Sequence, residues 1–283
     1  MPDTPVVDSH QHFWDLSKFS YGFMPEGDSP LKQNRLPDDL RPLIRDVGVD
    51  YTVIVQAHQS LEEAHWLLDL ADQTDFVAGV VAWVDLADPE VGGTLDALQR
   101  RRHFCGVRHL WHDEADEGWV LRPNVLRGLH ALAEREIPFD LLARPQHLRF
   151  VPELLDRVPD LRTVVDHIAK PRIAEREIEP WATDLGRVAQ NHTVYCKVSG
   201  MITEANHSGW KPADLEPYIR RVVDMFGYNR LMFGSDWPVC TLAGTYRQVF
   251  EAAKQALGPL SVPDRDKVFG GNAIRFYSLR RGM

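Results

Sequence analysis

The sequence predicts an α/β protein, a single-domain (β/α)8 TIM barrel spanning residues 1–283. Three observations predict it. Eight short apolar runs, near Val6, Val53, Val80, Val107, Phe139, Val164, Val198 and Met232, recur at intervals of roughly 25 to 45 residues with stretches of helical period between them. The 283 residues suit one barrel of about 250 residues better than several small domains. Polar residues able to bind metal or move protons close the first, sixth and eighth runs, and a barrel assembles its site from the C-terminal rims of different parallel strands.

Each element has its own local warrant. The first run, Val6-Val7, ends in Asp8-Ser9-His10-Gln11-His12. The connection over residues 13–37 is longer than a plain barrel needs and carries Trp14, Phe19, Tyr21, Phe23 and Met24. Thr52-Val53-Ile54-Val55 is continuously apolar, as expected of a strand covered on both faces. Ser60-Leu61-Glu62-Glu63 reads as a capping box, with Ser60 accepting from the Glu63 amide and Glu63 reaching back, ahead of a stripe through Ala64, Leu67, Leu68 and Ala71. Pro123, Pro180, Pro212 and Pro263 sit near further helix starts, where a missing amide proton is tolerated. Thr163-Val164-Val165 is the sixth strand, and a second long connection over residues 200–212 carries Glu204, His207 and Trp210. Both long connections follow strands and are expected to form substrate walls or lids on the catalytic rim. No flexible linker and no repeat divides the chain.

Composition narrows the function. A formal net charge of -9 argues against a protein that grips a phosphate backbone, which requires clustered Lys and Arg. The N-terminus lacks a basic region followed by an apolar one, and the longest apolar stretch, Phe76 to Val84, is far below the ~18 residues that span a bilayer. A cytoplasmic protein with no nucleic-acid or membrane partner is expected. Cys105, Cys196 and Cys240 form no CxxC pair and read as reduced structural thiols.

Residues two apart on a strand point the same way, so His10 and His12 are expected to aim together into the barrel mouth. Neutral imidazole is the commonest metal ligand, but an HxH pair alone is weak evidence. Asp236, in Gly-Ser-Asp-Trp-Pro after an apolar strand, strengthens it, because a carboxylate there needs a partner and can act as metal ligand and general base. His167 completes a cluster of three histidines and one carboxylate. Asp166 is expected to point away from His167 and to be structural.

This pattern resembles the amidohydrolase superfamily, of amidohydrolase 2 type. The segments VVDSHQHFWD, GVRHLW, FDLLARPQHL, VVDHIAKP, CKVSGMITEA and MFGSDWPVC are similar to its sugar lactonase branch of L-fuconolactonases and related aldonolactonases, almost end to end. The fifth strand, Phe139-Asp140-Leu141-Leu142-Ala143, lacks the lysine, glutamate or histidine of a binuclear site. The resemblance therefore implies at most one divalent ion, zinc first, held by His10, His12, His167 and Asp236, with metal-free catalysis as the alternative.

The implied reaction is hydrolysis of a sugar lactone such as L-fucono-lactone to the aldonic acid in sugar catabolism, with Asp236 taking a proton from water and returning it to the ring oxygen. His167 supports the same centre. Without a metal the oxyanion needs fixed donors, for which Arg108, His109 and Lys197 are the candidates. Trp14, Trp83, Trp111 and Trp237, with Gln56 and His58, are candidate contacts to a neutral polyol. An aromatic-acid decarboxylase or a lactone isomerase is the rival on the same scaffold, and a non-catalytic binding protein is disfavoured because no central residue is missing. The sugar configuration, the ring size and whether the chain forms a homo-oligomer stay open.

Overall fold

A computed structural model describes residues 4–279. Eight parallel strands run in the order of the chain: β1 (Val7–Gln11), β2 (Tyr51–Val55), β3 (Val77–Ala82), β4 (Phe104–His109), β5 (Phe139–Leu141), β6 (Thr163–Val165), β7 (Tyr195–Val198) and β8 (Leu231–Phe233). Closure comes from the backbone of β1 and the segment after β8, where Asp236 N donates to His10 O at 2.8 Å and His12 N to Trp237 O at 2.7 Å. The helices α1 (Pro37–Val47), α2 (Leu61–Asp72), α3 (Val91–Gln99), α4 (Pro123–Glu134), α5 (Val151–Arg157), α6 (Trp181–Ala189), α7 (Pro212–Phe226) and α8 (Tyr246–Leu257) follow their strands, and α9 (Val262–Asp266) and α10 (Asn272–Phe276) end the described chain.

Strand alternation sorts the core into two layers. Ile54, Val80, Val107, Phe139, Leu141, Val165, Val198 and Phe233 pack with the helices. Val53, Val55, Val81, Val164 and Met232 pack with one another and with Phe276 and Tyr277 at the chain's end, filling the barrel interior. Both faces of each strand are thus covered, which is why runs such as Val53-Ile54-Val55 and Val164-Val165 are continuously apolar. The same alternation puts Arg108, Asp140 and Lys197 inside, each between outward-facing neighbours.

The N-terminus of α2 departs from the expected reciprocal cap. Ser60 Oγ accepts from Glu63 N at 3.1 Å, but Glu63 Oε2 accepts from Ala57 N at 3.1 Å and His58 N at 2.8 Å. The carboxylate braces the β2 exit instead of Ser60, and burial pushes its pKa up to about 7. No helix among the described residues is long and apolar enough to cross a membrane.

Candidate active site

The floor of the site is set by two departures from regular strand geometry. The β1–β2 register shifts between Asp8 and Gln11. Before the break Asp8 faces outward, accepting from Ser235 N at 2.8 Å and Tyr246 Oη at 2.9 Å. After it His10 and His12 face the interior, as bulges re-aim side chains next to active sites. The second departure follows β6. His167, Ile168, Ala169 and Lys170 all have positive φ, at 54°, 47°, 60° and 50°, a left-handed turn that costs roughly 1–2 kcal/mol per L-residue. Asp166 keeps the inward phase of Val164, and the turn swings His167 in as well. The expectation that Asp166 points away is corrected: strand alternation ends at Val165, so both residues reach the centre.

Four side chains converge. His10 Nε2 lies 3.3 Å from His12 Nε2, and Asp236 Oδ1 lies 3.4 Å from His12 Nε2, 3.9 Å from His10 Nε2 and 3.9 Å from His167 Nε2. Asp236 itself has φ 56°. Two glycines make room. A Cβ on Gly234 would meet His10 Cβ at 2.7 Å, and one on Gly200, at φ +63°, would meet His167 Nδ1 at 2.5 Å. Burial holds His10 and His167 well below the usual histidine range and lowers His12. Burial opposes ionisation of Asp236, but His167 and His12 outweigh it and its carboxyl pKa is lowered. His12 Nδ1 lies 2.7 Å from Val55 O, and since a carbonyl only accepts, the lone pair is left on Nε2.

A buried charge network supports this floor. Lys197 Nζ lies 2.5 Å from Asp140 Oδ2, 3.0 Å from Asp166 Oδ1 and 3.1 Å from His10 Nδ1. Tyr277 Oη donates to Asp140 at 2.8 Å. Arg108 Nη1 lies 3.3 Å from both Asp166 Oδ2 and His10 Nε2, and Arg108 Nη2 donates to Gln56 O and to Gln56 Oε1. Burial raises the Asp140 pKa to about 6 against the pull of Lys197. At Asp166 Lys197 and His10 outweigh burial and hold the carboxyl well below its usual range.

Above the floor opens a cavity of ≈ 360 Å³, lined in part by His12, Arg108, His167 and Asp236. Both long connections reach it, the first through Phe23 and Leu31 and the second through Thr203, Glu204 and His207. Several candidates lie elsewhere. Lys197 is fully buried beneath the floor, so it holds carboxylates rather than a substrate oxyanion. His109 follows Arg108 by one residue and so points outward, where Nε2 meets Glu114 Oε1 at 2.8 Å, the ring stacks on Trp119, and Trp83 Nε1 donates to Nδ1 at 3.2 Å.

The proposed polyol contacts are also absent from the cavity lining. Trp14 donates to Gln33 O and packs on Tyr21 and Phe23. Trp111 stacks on His147, and Trp237 packs edge-on against Phe13. Gln56 is occupied by Arg108, and His58 sits among Phe19, Tyr21 and Ser60. These rings are the scaffold of the rim. Sequence reasoning missed Lys170, Arg144, His112 and Asp113, which do line the cavity. Lys170 and Arg144 lie within the distinctive segments VVDHIAKP and FDLLARPQHL, which was the available signal.

The donor set fits one small divalent ion. Zn–N bonds of about 2.0–2.1 Å at a tetrahedral centre put neighbouring donors about 3.3–3.4 Å apart, the spacing seen between His10 and His12 and between His12 and Asp236. These three form one group of converging ligand atoms, and His10, Asp166 and His167 form another.

The family model described as Amidohydrolase matches residues 7–279. The chain belongs to the amidohydrolase family. An L-fucono-1,5-lactonase of Burkholderia ambifaria is 39% identical over 281 residues, covering 97% of this chain and 96% of its own. An L-fucono-1,5-lactonase of Burkholderia multivorans is 35% identical, covering 96% of each chain. A crystal structure of an amidohydrolase from Burkholderia multivorans with bound zinc superposes with a TM-score of 0.92 at 34% identity, covering 98% of this chain and all of the other.

Proposed function

We propose that this amidohydrolase opens a sugar lactone, with L-fucono-lactone the first candidate, to the free aldonic acid. The observation that carries the reading is a buried carboxylate, Asp236, whose Oδ1 lies 3.4–3.9 Å from the Nε2 atoms of three histidines at the floor of a cavity lined by apolar side chains and by charges of both signs. A neutral polyol ester suits such walls better than a multiply charged acid. The relatives in Burkholderia named as L-fucono-1,5-lactonases, alike over nearly the whole chain, support the same substrate class.

The reaction needs a base for water and an acid for the leaving ring oxygen, and Asp236 serves both. Its carboxylate takes a proton from water as the water oxygen bonds to the carbonyl carbon, then returns that proton to the ring oxygen as the C–O bond breaks. His10, His12 and Asp236, with His167 beside them, would hold one zinc ion, which supplies Lewis acidity to the carbonyl and the water when bound. Arg108 and Lys197 keep His10 placed, each touching it directly and through Asp166. The free, buried state of all three cysteines supports a reducing, cytoplasmic setting.

Proton release in weak buffer tests this reading. The purified protein is expected to open one or more aldono-1,4- or 1,5-lactones, and the comparison of chelator-treated with zinc-resupplied protein tells whether a metal is required. No turnover of any lactone in either form would overturn the reading and favour a decarboxylase.

A further inference from the structure

The left-handed turn after β6 is over-determined by its surroundings. Lys170 N donates to His167 O at 2.8 Å, Trp181 Nε1 donates to Ile168 O at 2.7 Å, and Ile168 and Ala169 are fully buried. Backbone held in so disfavoured a conformation points to a purpose at the site it serves. The turn places two side chains on the same cavity, His167 and, three residues on, Lys170.

Lys170 is fixed there by a partner from another element. Its Nζ donates to Glu204 Oε1 at 2.8 Å, and Ala174 N donates to Glu204 O at 2.9 Å, so the connection after β7 is tied to the segment after β6 through one residue. The side chains of Lys170 and Glu204 are 14% and 21% exposed, enough to meet a substrate. The ion pair uses one of three ammonium protons. Of the cations considered earlier, Lys197 lies under the floor, and Arg108, which shares the cavity, directs its Nη groups at Gln56, Asp166 and His10.

We propose that Lys170 is the catalytic donor that receives the lactone carbonyl oxygen as it becomes an oxyanion, with Glu204 as its positioning residue. The proposal rests on the lactonase reading. As the water oxygen bonds to the carbonyl carbon and Asp236 takes the water proton, the carbonyl π pair moves onto the oxygen facing the Lys170 ammonium. When the bond to the ring oxygen breaks, that pair re-forms the C=O bond and the ring oxygen leaves with the proton from Asp236. The new carboxylic acid then releases the remaining water proton to solvent, and in the product the ammonium faces the carboxylate.

Steady-state kinetics on an accepted lactone test the proposal. Losing one oxyanion donor lowers kcat by about 10²–10³. Lys170→Met is therefore expected to lose about a hundredfold or more in kcat with little change in KM, at an unchanged melting temperature, and Lys170→Arg is expected to recover part of the loss. Glu204→Gln is expected to reduce kcat less, and the double variant is expected to be no slower than Lys170→Met, as for two groups acting as one unit. A kcat within about threefold of the parent for Lys170→Met, or losses that multiply in the double variant, would overturn the assignment. Lys170→Gln replaces Lys170→Met if the latter does not fold. If the parent opens no lactone, the lactonase reading fails on its own, and calorimetric binding of L-fuconate decides about Lys170. Binding weakened about tenfold or more in Lys170→Met keeps it as the anion-holding group, and equal binding or none by the parent removes it.

Discussion

Asp236→Asn is expected to lower kcat/KM for lactone opening by about three orders of magnitude, within the range lost when a positioned general base is removed. The substitution keeps the side chain's shape while removing the charge that the base role needs, and zinc content measured on the variant separates loss of the base from loss of a metal ligand. Asn has the same shape, and it tolerates the positive φ that position 236 adopts better than most residues do. The amide cannot take a proton from water, and it lacks the negative charge that lies beside His12 and His167. Proton release from an accepted lactone measures the effect. A variant within tenfold of the parent, with an unchanged pH profile, would show that the base lies elsewhere.

The second large effect falls on stability. Lys197→Met leaves Asp140 and Asp166 buried without their shared counter-ion, and breaking a buried pair by removing one partner costs about 3–5 kcal/mol. The sign of the pH dependence follows from the carboxyls. Even beside Lys197, burial raises the Asp140 pKa to about 6, so without the ammonium both carboxyls take up protons more readily in the folded state. A raised carboxyl pKa favours folding at low pH and loses that contribution as pH rises through the folded value. The deficit of Lys197→Met is therefore expected to be largest at pH 7 and above and to shrink toward pH 5. Urea unfolding of parent and variant at the two pH values checks this. A deficit under about 1 kcal/mol, or one that grows on acidification, would show that Lys197 is not the counter-ion of a buried charge network.

The barrel was legible because its signal is periodic. Strands buried on both faces leave continuous apolar runs at regular spacing, and such runs survive any local irregularity. His10, His12 and Asp236 were legible for the same reason, as polar residues at the ends of apolar runs need partners. What remained hidden was phase and handedness. The sequence does not reveal the register break in β1, nor that Val165 is the last alternating residue of β6. Asp166 was accordingly set aside although it holds Lys197 and Arg108. His109 was paired with Arg108 although neighbours on a strand face opposite ways. The tryptophans were placed by their nearness to strand ends, but their rings pack into the rim while charged side chains line the cavity. Lys170 depends on four successive left-handed residues, none of them a glycine, so no residue type announced the turn.

If water activated at Asp236 adds to a lactone carbonyl, oxygen-18 water leaves its label in the product. Opening of an accepted sugar lactone in labelled water, quenched early and read by mass spectrometry, is expected to place one labelled oxygen in the product carboxylate and none in the released ring hydroxyl. Conversion of the lactone without label in the product would contradict the account and point to isomerisation on the same scaffold.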